Sequence, residues 1–147
     1  MNNRNPDPAV WMRLAGDDMA TVSLLMTEHK KRVEIILYHC QQTAEKSLKA
    51  FLINNNVWIG NTHDLVLLLK ECVKINPAFN LKRIINHCAF LNRITPSVKY
   101  ADLSISFDTS HIPRAINSAK RVYDLVSIHL GFGKFYFTSE GQDKCKN

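Results

Sequence analysis

Apolar residues recur at every fourth position through residues 36–52, and this repeat constrains the fold more than any other feature of the sequence. The repeating positions are Ile36, Cys40, Ala44, Leu48 and Leu52, with Leu37 and Phe51 beside them. Such spacing aligns side chains on one face of an α-helix, so the segment is predicted to be a helix with a long buried stripe. Gln42, Glu45, Lys46 and Lys49 lie off that stripe. Because Glu45 precedes Lys49 by four residues, we expect the two to pair on an exposed side of the helix.

Helical periodicity also marks segments before and after this one. The first predicted helix starts at Asp7-Pro8, where the acid is a good cap and proline suits the first helical position. The third starts near Thr62 and carries Asp64 in its first turn, where an acid suits the helix dipole. The expected helices cover about residues 8–29, 33–54, 62–75, 81–94 and 110–130, and Gly131 ends the last one. Short connections without alternating strands indicate an all-α, up-and-down bundle of about five helices.

The length of 147 residues suits one domain with its own core, which we place at about residues 8–130. Residues 131–147 are expected to form an aromatic extension and a tail. Its aromatic residues either cap the bundle or form a patch for a partner, and packing is the favoured interpretation. No apolar run approaches the length of a bilayer span, and the N-terminal residues lack the apolar stretch of a secretory signal. We therefore expect a cytoplasmic protein without membrane association.

The cysteines and the net charge limit which metals, cofactors and binding partners the protein is expected to have. The chain has four cysteines, namely Cys40, Cys72, Cys88 and Cys145. They show no CxxC spacing, so we expect small buried side chains in a reducing compartment, and neither a metal site nor a cofactor. A formal net charge of +6 favours nucleic acid, nucleotides or acidic partners. The basic pairs, such as Lys82-Arg83 and Lys120-Arg121, are scattered along the sequence, however, and solvated helix faces would give the same pattern.

The second predicted helix carries a distinctive polar sequence, Tyr-His-Cys-Gln-Gln-Thr-Ala-Glu-Lys-Ser-Leu-Lys-Ala, at residues 38–50. Residues 15–18 with Leu24-Leu25 accompany it in the first helix, and His63-Asp64-Leu65 opens the third. A weaker element is Lys99-Tyr100-Ala101-Asp102 in the loop after the fourth helix. Over about residues 8–130 this arrangement resembles the HEPN family, the "higher eukaryotes and prokaryotes nucleotide-binding" domain. The Gln-Gln-x-Ala-Glu-Lys core is the most specific part of the resemblance.

The resemblance implies a helical bundle that pairs through its long helices as a homodimer. It also implies a nucleotide, an RNA or a protein partner, such as a small nucleotidyltransferase in a two-component module of toxin-antitoxin type. Several branches of the family are metal-independent ribonucleases with an Arg-x(4 to 6)-His motif near the start of the C-terminal helix. Here Arg114 is preceded by His111, and its next histidine is His129, so the motif is absent from that helix. We therefore expect a binding protein without its own catalytic residues.

Three other hypotheses stay open. A ribonuclease could use an atypical site made of Arg32 and His39, which have six residues between them. The bundle could instead serve only as an oligomerisation module. A metal-dependent phosphohydrolase would need His63-Asp64 to converge with His39 and with Asp102 or Asp124, but helix capping explains the His-Asp pair more simply.

The candidate ligand-binding residues combine charge, hydrogen-bonding groups and aromatic surface. They are His39, Gln42, Glu45, Lys46, Lys49, His63, Asp64, Tyr100 and Asp102, with Trp58 as a second stacking candidate. The lysines suit phosphate charge, the histidine and glutamine suit hydrogen bonding, and the aromatic rings suit base stacking. A purely structural role competes with each of these assignments, most strongly for His39.

Overall fold

A computed structural model of the chain describes residues 7–94 and 106–132. The helices are α1 (Pro8–Thr27), α2 (Val33–Asn54), α3 (Leu65–Ile75), α4 (Lys82–Asn92) and α5 (Ile112–Leu130). Two 3₁₀ turns, Pro77–Phe79 and Thr109–His111, precede α4 and α5. The expected all-α class is confirmed, and the described residues contain no strand. The predicted bounds of α2 are also those observed, whereas α1, α3, α4 and α5 are each two or three residues shorter than expected.

Side-chain caps explain where two helices begin. The Asp7 carboxylate accepts a hydrogen bond from the Ala9 amide at 2.9 Å, with Pro8 next to it as expected. Asp64 was predicted inside the first turn of α3, but it is the residue just before that helix. Its Oδ1 accepts from the amides of Val66 at 2.9 Å and Leu67 at 3.1 Å. Each bond satisfies a backbone donor that lacks a partner within the helix.

Helix α2 lies at the centre of the bundle and contacts each of the other four helices. Its apolar stripe is buried as predicted, with Ile36, Cys40 and Leu48 fully inaccessible. From residue 36 to residue 53 none of its side chains is exposed. Other parts of the protein therefore cover most of the polar side of α2, and His39, Gln42 and Lys46 remain partly accessible.

The expectation that Glu45 and Lys49 pair on an exposed face is wrong. They do form an ion pair, with Lys49 Nζ 2.8 Å from Glu45 Oε1, but only 4% of Glu45 and 6% of Lys49 is exposed. The two side chains are buried because neighbouring segments cover them. The Trp11 ring of α1 lies 5.9 Å from Lys49 Nζ, and His63, just before α3, contacts Glu45. On a solvated helix such an ion pair contributes a few tenths of a kcal/mol. Here both charged groups are buried, so Glu45 and Lys49 form a buried ion pair.

The cysteines that the structure describes, Cys40, Cys72 and Cys88, are free and buried. Burial raises the pKa of Cys40 and of Cys88 to about 12, despite some opposing effect of Lys120 on Cys40. They serve as small core side chains, as expected. Of the C-terminal aromatic residues, Phe132 is 52% exposed, while Phe135, Tyr136 and Phe137 lie outside the described residues.

Candidate functional site

The first polar cluster of α2 is centred on the carboxylate of Glu45, and we call it the Glu45 cluster. It consists of Gln41, Gln42, Glu45, Lys49 and His63. The Gln41 amide donates to Glu45 Oε2 at 3.0 Å, and His63 Nδ1 lies 3.1 Å from both carboxylate oxygens. Gln42 in turn donates to the Gln41 side-chain oxygen at 2.8 Å. This cluster joins the centre of α2 to the segment that leads into α3.

Two opposing effects act on the pKa of Glu45. Burial by itself would raise the pKa, because a carboxylate loses hydration inside a protein. Hydrogen bonds from Lys49 and Gln41, the charge of Lys49 and the contact with His63 outweigh it, so the pKa lies below its ordinary value. Glu45 is therefore an ionised hydrogen-bond acceptor at neutral pH. It is not a proton donor for acid catalysis.

The second polar cluster, the Asp18 cluster, joins α1 to α2 through Asp18, His39 and Lys46. Lys46 Nζ lies 2.5 Å from Asp18 Oδ2, and His39 Nδ1 lies 2.8 Å from Asp18 Oδ1. Asp18 is 8% exposed, whereas about a quarter of the side chains of His39 and Lys46 remains accessible, 24% in each case. The Tyr38 ring meets the His39 ring edge-on, with 5.6 Å between centroids. The cluster thus has a buried acid and two partly accessible basic groups.

Asp18 was not among the candidate residues, although a signal for it exists in the sequence. It sits within the buried positions of α1, which include Ala15, Met19 and Val22. An acid inside an apolar helical stripe must find a partner, because an unpaired buried charge is costly. Its partners lie 21 and 28 residues further along the chain. Sequence spacing within one helix could not identify them.

Asp64 belongs to a separate arrangement between the start of α3 and the end of α4. The Asn92 side-chain amide donates to Asp64 Oδ1 at 2.8 Å, and the Leu65 amide donates to Asn92 Oδ1 at 2.7 Å. The Asn92 hydrogen bond is the main reason that the pKa of Asp64 is lowered, and the backbone amides of α3 add to it. His63 contacts Glu45 while Asp64 caps α3, so the adjacent residues have different partners. Across residues 7–94 and 106–132, no group of three or more metal-ligating side chains is assembled.

The remaining sequence-predicted residues are not brought into either cluster. Arg32 is the exposed residue before α2, and no hydrogen bond or ion pair joins it to His39 within the described part of the chain. Trp58 is 55% exposed and lies 6.4 Å from the Trp11 ring, centroid to centroid. Tyr100 and Asp102 lie outside the described residues.

The start of α5 carries no arginine and histidine pair of the kind that the ribonuclease motif requires. Counting from Arg114, the three positions where the histidine would fall hold Ala119, Lys120 and Arg121. The Arg114 guanidinium instead lies over the Phe90 ring of α4, 4.1 Å from its centroid. His111 accepts a hydrogen bond from the Asp108 amide at 3.1 Å, as part of a capping box before α5.

The fold and the two clusters define a class of all-helical domain in which charged residues of a central helix pair with groups of the neighbouring segments. The family model for the HEPN domain matches residues 9–129, and the chain belongs to that family. Both polar clusters fall within the matched residues. No curated protein and no solved structure gave a significant match to the chain. Membership in the family associates the chain with nucleotide- or RNA-related function.

None of the helices among the described residues has the length and hydropathy needed to cross a membrane.

Proposed function

We propose that this protein is a cytoplasmic, homodimeric HEPN component that binds a nucleotide or RNA and does not itself cleave it. The observation that carries the proposal is the make-up of α5. Where HEPN ribonucleases would place a histidine, this chain has Ala119, Lys120 and Arg121, so an acid-base group is replaced in part by cationic charge. A partner such as a small nucleotidyltransferase, in a module of toxin-antitoxin type, would supply any enzymatic step.

Within the two polar clusters, we assign the buried side chains to stabilising the fold and the accessible ones to contacting a ligand. Glu45 is paired with Lys49, and Asp18 with Lys46, so each cluster is balanced in charge. Their buried acids join α2 to α1 and to the start of α3. A ligand would meet the more accessible side chains, His39, Lys46 and His63, of which the last is 43% exposed.

Trp58 provides a neighbouring surface with a different chemistry. More than half of its side chain is accessible, and its ring lies beside Trp11, which in turn covers Lys49. Exposed indole rings stack on nucleobases with little dependence on sequence. Base stacking on Trp58, next to the hydrogen-bonding groups of the clusters, is the contact we propose on this side of the bundle.

Binding is tested by titrating the purified protein with ATP, GTP and a labelled single-stranded RNA of 12 nucleotides, using calorimetry and fluorescence anisotropy. We expect saturable binding to at least one ligand, a reduced affinity at higher salt, and intact RNA on a denaturing gel. Light scattering would give the mass of a dimer. If neither nucleotide nor RNA binds at low ionic strength, the proposed function is wrong.

A ribonuclease is the second candidate, and one contact favours it. The carboxylate of Asp18 holds His39 Nδ1 at 2.8 Å, which is how many enzymes orient a histidine that acts as an acid or base. Arg32 lies two helical turns before it, exposed at the start of α2. If the purified protein cleaves RNA and His39→Ala stops cleavage while the protein stays folded, this candidate replaces binding alone. Uncleaved RNA with the wild-type protein would eliminate it.

A further inference from the structure

A groove with a cavity volume of about 550 Å³ runs between α4 and α5, and none of its lining residues belongs to either polar cluster. Helix α4 contributes Lys82, Arg83 and His87 to its lining, and α5 contributes Asn117 and Arg121. Its apolar floor includes Ile84. The volume is in the range that accommodates a small organic ligand.

The groove has positive charge that the protein itself does not neutralise. None of Lys82, Arg83 and Arg121 makes a hydrogen bond or an ion pair with another residue that the structure describes, and no acidic side chain lines the groove. The two polar clusters differ in this respect, since each basic residue there has an acid beside it. Three exposed, unneutralised cations around one cavity attract an anionic ligand.

The start of α4 adds to this positive potential. Helix α4 begins after Leu81, with no side-chain cap and no acidic residue in its first turn. The backbone amides of its first residues, which include Lys82 and Arg83, therefore have no acceptor among the described residues. Their partial positive charge lies beside the same cavity and reinforces that of the side chains.

The groove also contains neutral groups suited to the rest of a nucleotide. His87 is fixed by a 2.8 Å hydrogen bond between its Nδ1 and the hydroxyl oxygen of Ser118. The exposed Asn117 amide makes no hydrogen bond with another described residue, so both its donor and acceptor are available. With Ile84 and the half-exposed Leu81 as apolar surface, the cavity can accept a flat base or a ribose as well as a phosphate.

We propose that the groove between α4 and α5 binds the phosphate groups of a nucleotide, with Arg83 and Arg121 as the principal phosphate contacts. The inference rests on the proposed nucleotide- or RNA-binding function and adds to it a second contact surface, separate from the one around Trp58. The same chemistry is offered by a free nucleoside triphosphate and by a nucleotide unit within an RNA strand. The groove, not the charge-balanced clusters of α2, then supplies most of the electrostatic attraction.

The test compares Arg83→Gln and Arg121→Gln with Arg93→Gln. Arg93 is an exposed arginine just after α4, so its substitution removes the same charge outside the groove. Each protein is titrated with ATP, inorganic tripolyphosphate and the 12-nucleotide RNA, after circular dichroism has confirmed its helicity. We expect the two groove variants to lose about tenfold or more in affinity, because each removes a charge-assisted contact. Arg93→Gln should stay within about twofold of wild type.

The ligands and the salt dependence separate the possible outcomes. Tight binding of ATP or tripolyphosphate points to a free nucleotide, while binding of RNA alone points to a strand, and either supports the groove if the two variants weaken it. For RNA, each variant should also reduce the slope of log affinity against log salt by about 0.7. If wild type binds but the groove variants bind equally well, the groove assignment is overturned and the proposed function stands. If wild type binds nothing, both fail together.

Discussion

Replacing Glu45 by glutamine tests whether the charges of α2 are as deeply buried as the structure indicates. The substitution keeps the size of the side chain but leaves the Lys49 ammonium, which is 6% exposed, without its carboxylate at 2.8 Å. Removing one partner of a buried ion pair costs about 3–5 kcal/mol, since the remaining charge has lost its solvation and its partner. Gln41 and His63 can still bond to the new amide oxygen, so we take the lower value, about 3 kcal/mol. For a chain of this size that lowers Tm by about 10 °C.

The assay is urea unfolding of wild type and Glu45→Gln at pH 7, followed by circular dichroism, with Tm from calorimetry. The chain offers a matched control in Arg13 and Asp17, which have the same four-residue spacing but side chains that are 65% and 64% exposed. Asp17→Asn should cost less than about 0.5 kcal/mol, because exposed pairs contribute little. The double variant Glu45→Leu/Lys49→Met should recover most of the loss, since it removes both buried charges.

The pH dependence gives a second, independent measure of the same contact. The pKa of Glu45 in the folded protein lies below its ordinary value because Lys49 and Gln41 outweigh the effect of burial. Its stabilisation is therefore complete above the unfolded pKa of about 4.3 and is lost as pH falls through the lower folded pKa. The stability difference between wild type and Glu45→Gln should be constant from pH 6 to 8 and shrink below about pH 4.5. A cost under 1 kcal/mol at pH 7 would refute the buried pair.

Three further predictions concern other parts of the bundle. Asp64→Ala should lower the free energy of unfolding by about 1 kcal/mol in urea titrations, because α3 loses its cap, and an unchanged midpoint would contradict that role. Cys40 and Cys88, whose pKa is about 12, should resist iodoacetamide at pH 8 in the native protein and react after unfolding, as read by peptide mass mapping. Burial, together with Arg121 and Arg114, lowers the pKa of His87. A bound phosphate would raise that pKa, so the affinity for the ligand should increase from pH 7 to 5.5 in wild type and change less in His87→Gln. Identical pH profiles of the two proteins would show that His87 does not face the ligand.

Local periodicity predicts a good part of this fold. The helical state of α2 follows from its four-residue repeat, because the repeat depends only on which residues within one helix are apolar. The caps at Asp7 and Asp64 were likewise visible as acids at helix starts, although the second was placed inside α3 instead of before it. Signals that act between residues a few positions apart are thus readable without tertiary structure.

The burial of the charged residues was not predictable in the same way. Periodicity separates Glu45 and Lys49 from the apolar stripe but cannot show that Trp11 and His63 will cover them. These covering residues belong to α1 and to the segment before α3, far along the sequence. A polar face looks the same in sequence whether water or another helix lies against it.

The groove between α4 and α5 could not be predicted from the sequence for a related reason. In the sequence, Lys82-Arg83 and Lys120-Arg121 are separate basic pairs among many. The contacts His87 to Ser118 and Phe90 to Arg114 show that α4 and α5 run antiparallel, which places Arg83 and Arg121 around one cavity. Whether charges cluster on the folded surface depends on this pairing of helices, and the pairing cannot be read from the linear sequence.

The burial of most side chains in the middle of α2 restricts which substitutions the protein tolerates and where it can be labelled. Between residues 36 and 53 no side chain is fully exposed and most are buried, so few replacements there can be neutral for both packing and hydrogen bonding. Fluorophores and spin labels on this helix belong at its ends, at Glu34, Ile35 or Asn54, where a bulky probe would extend into solvent.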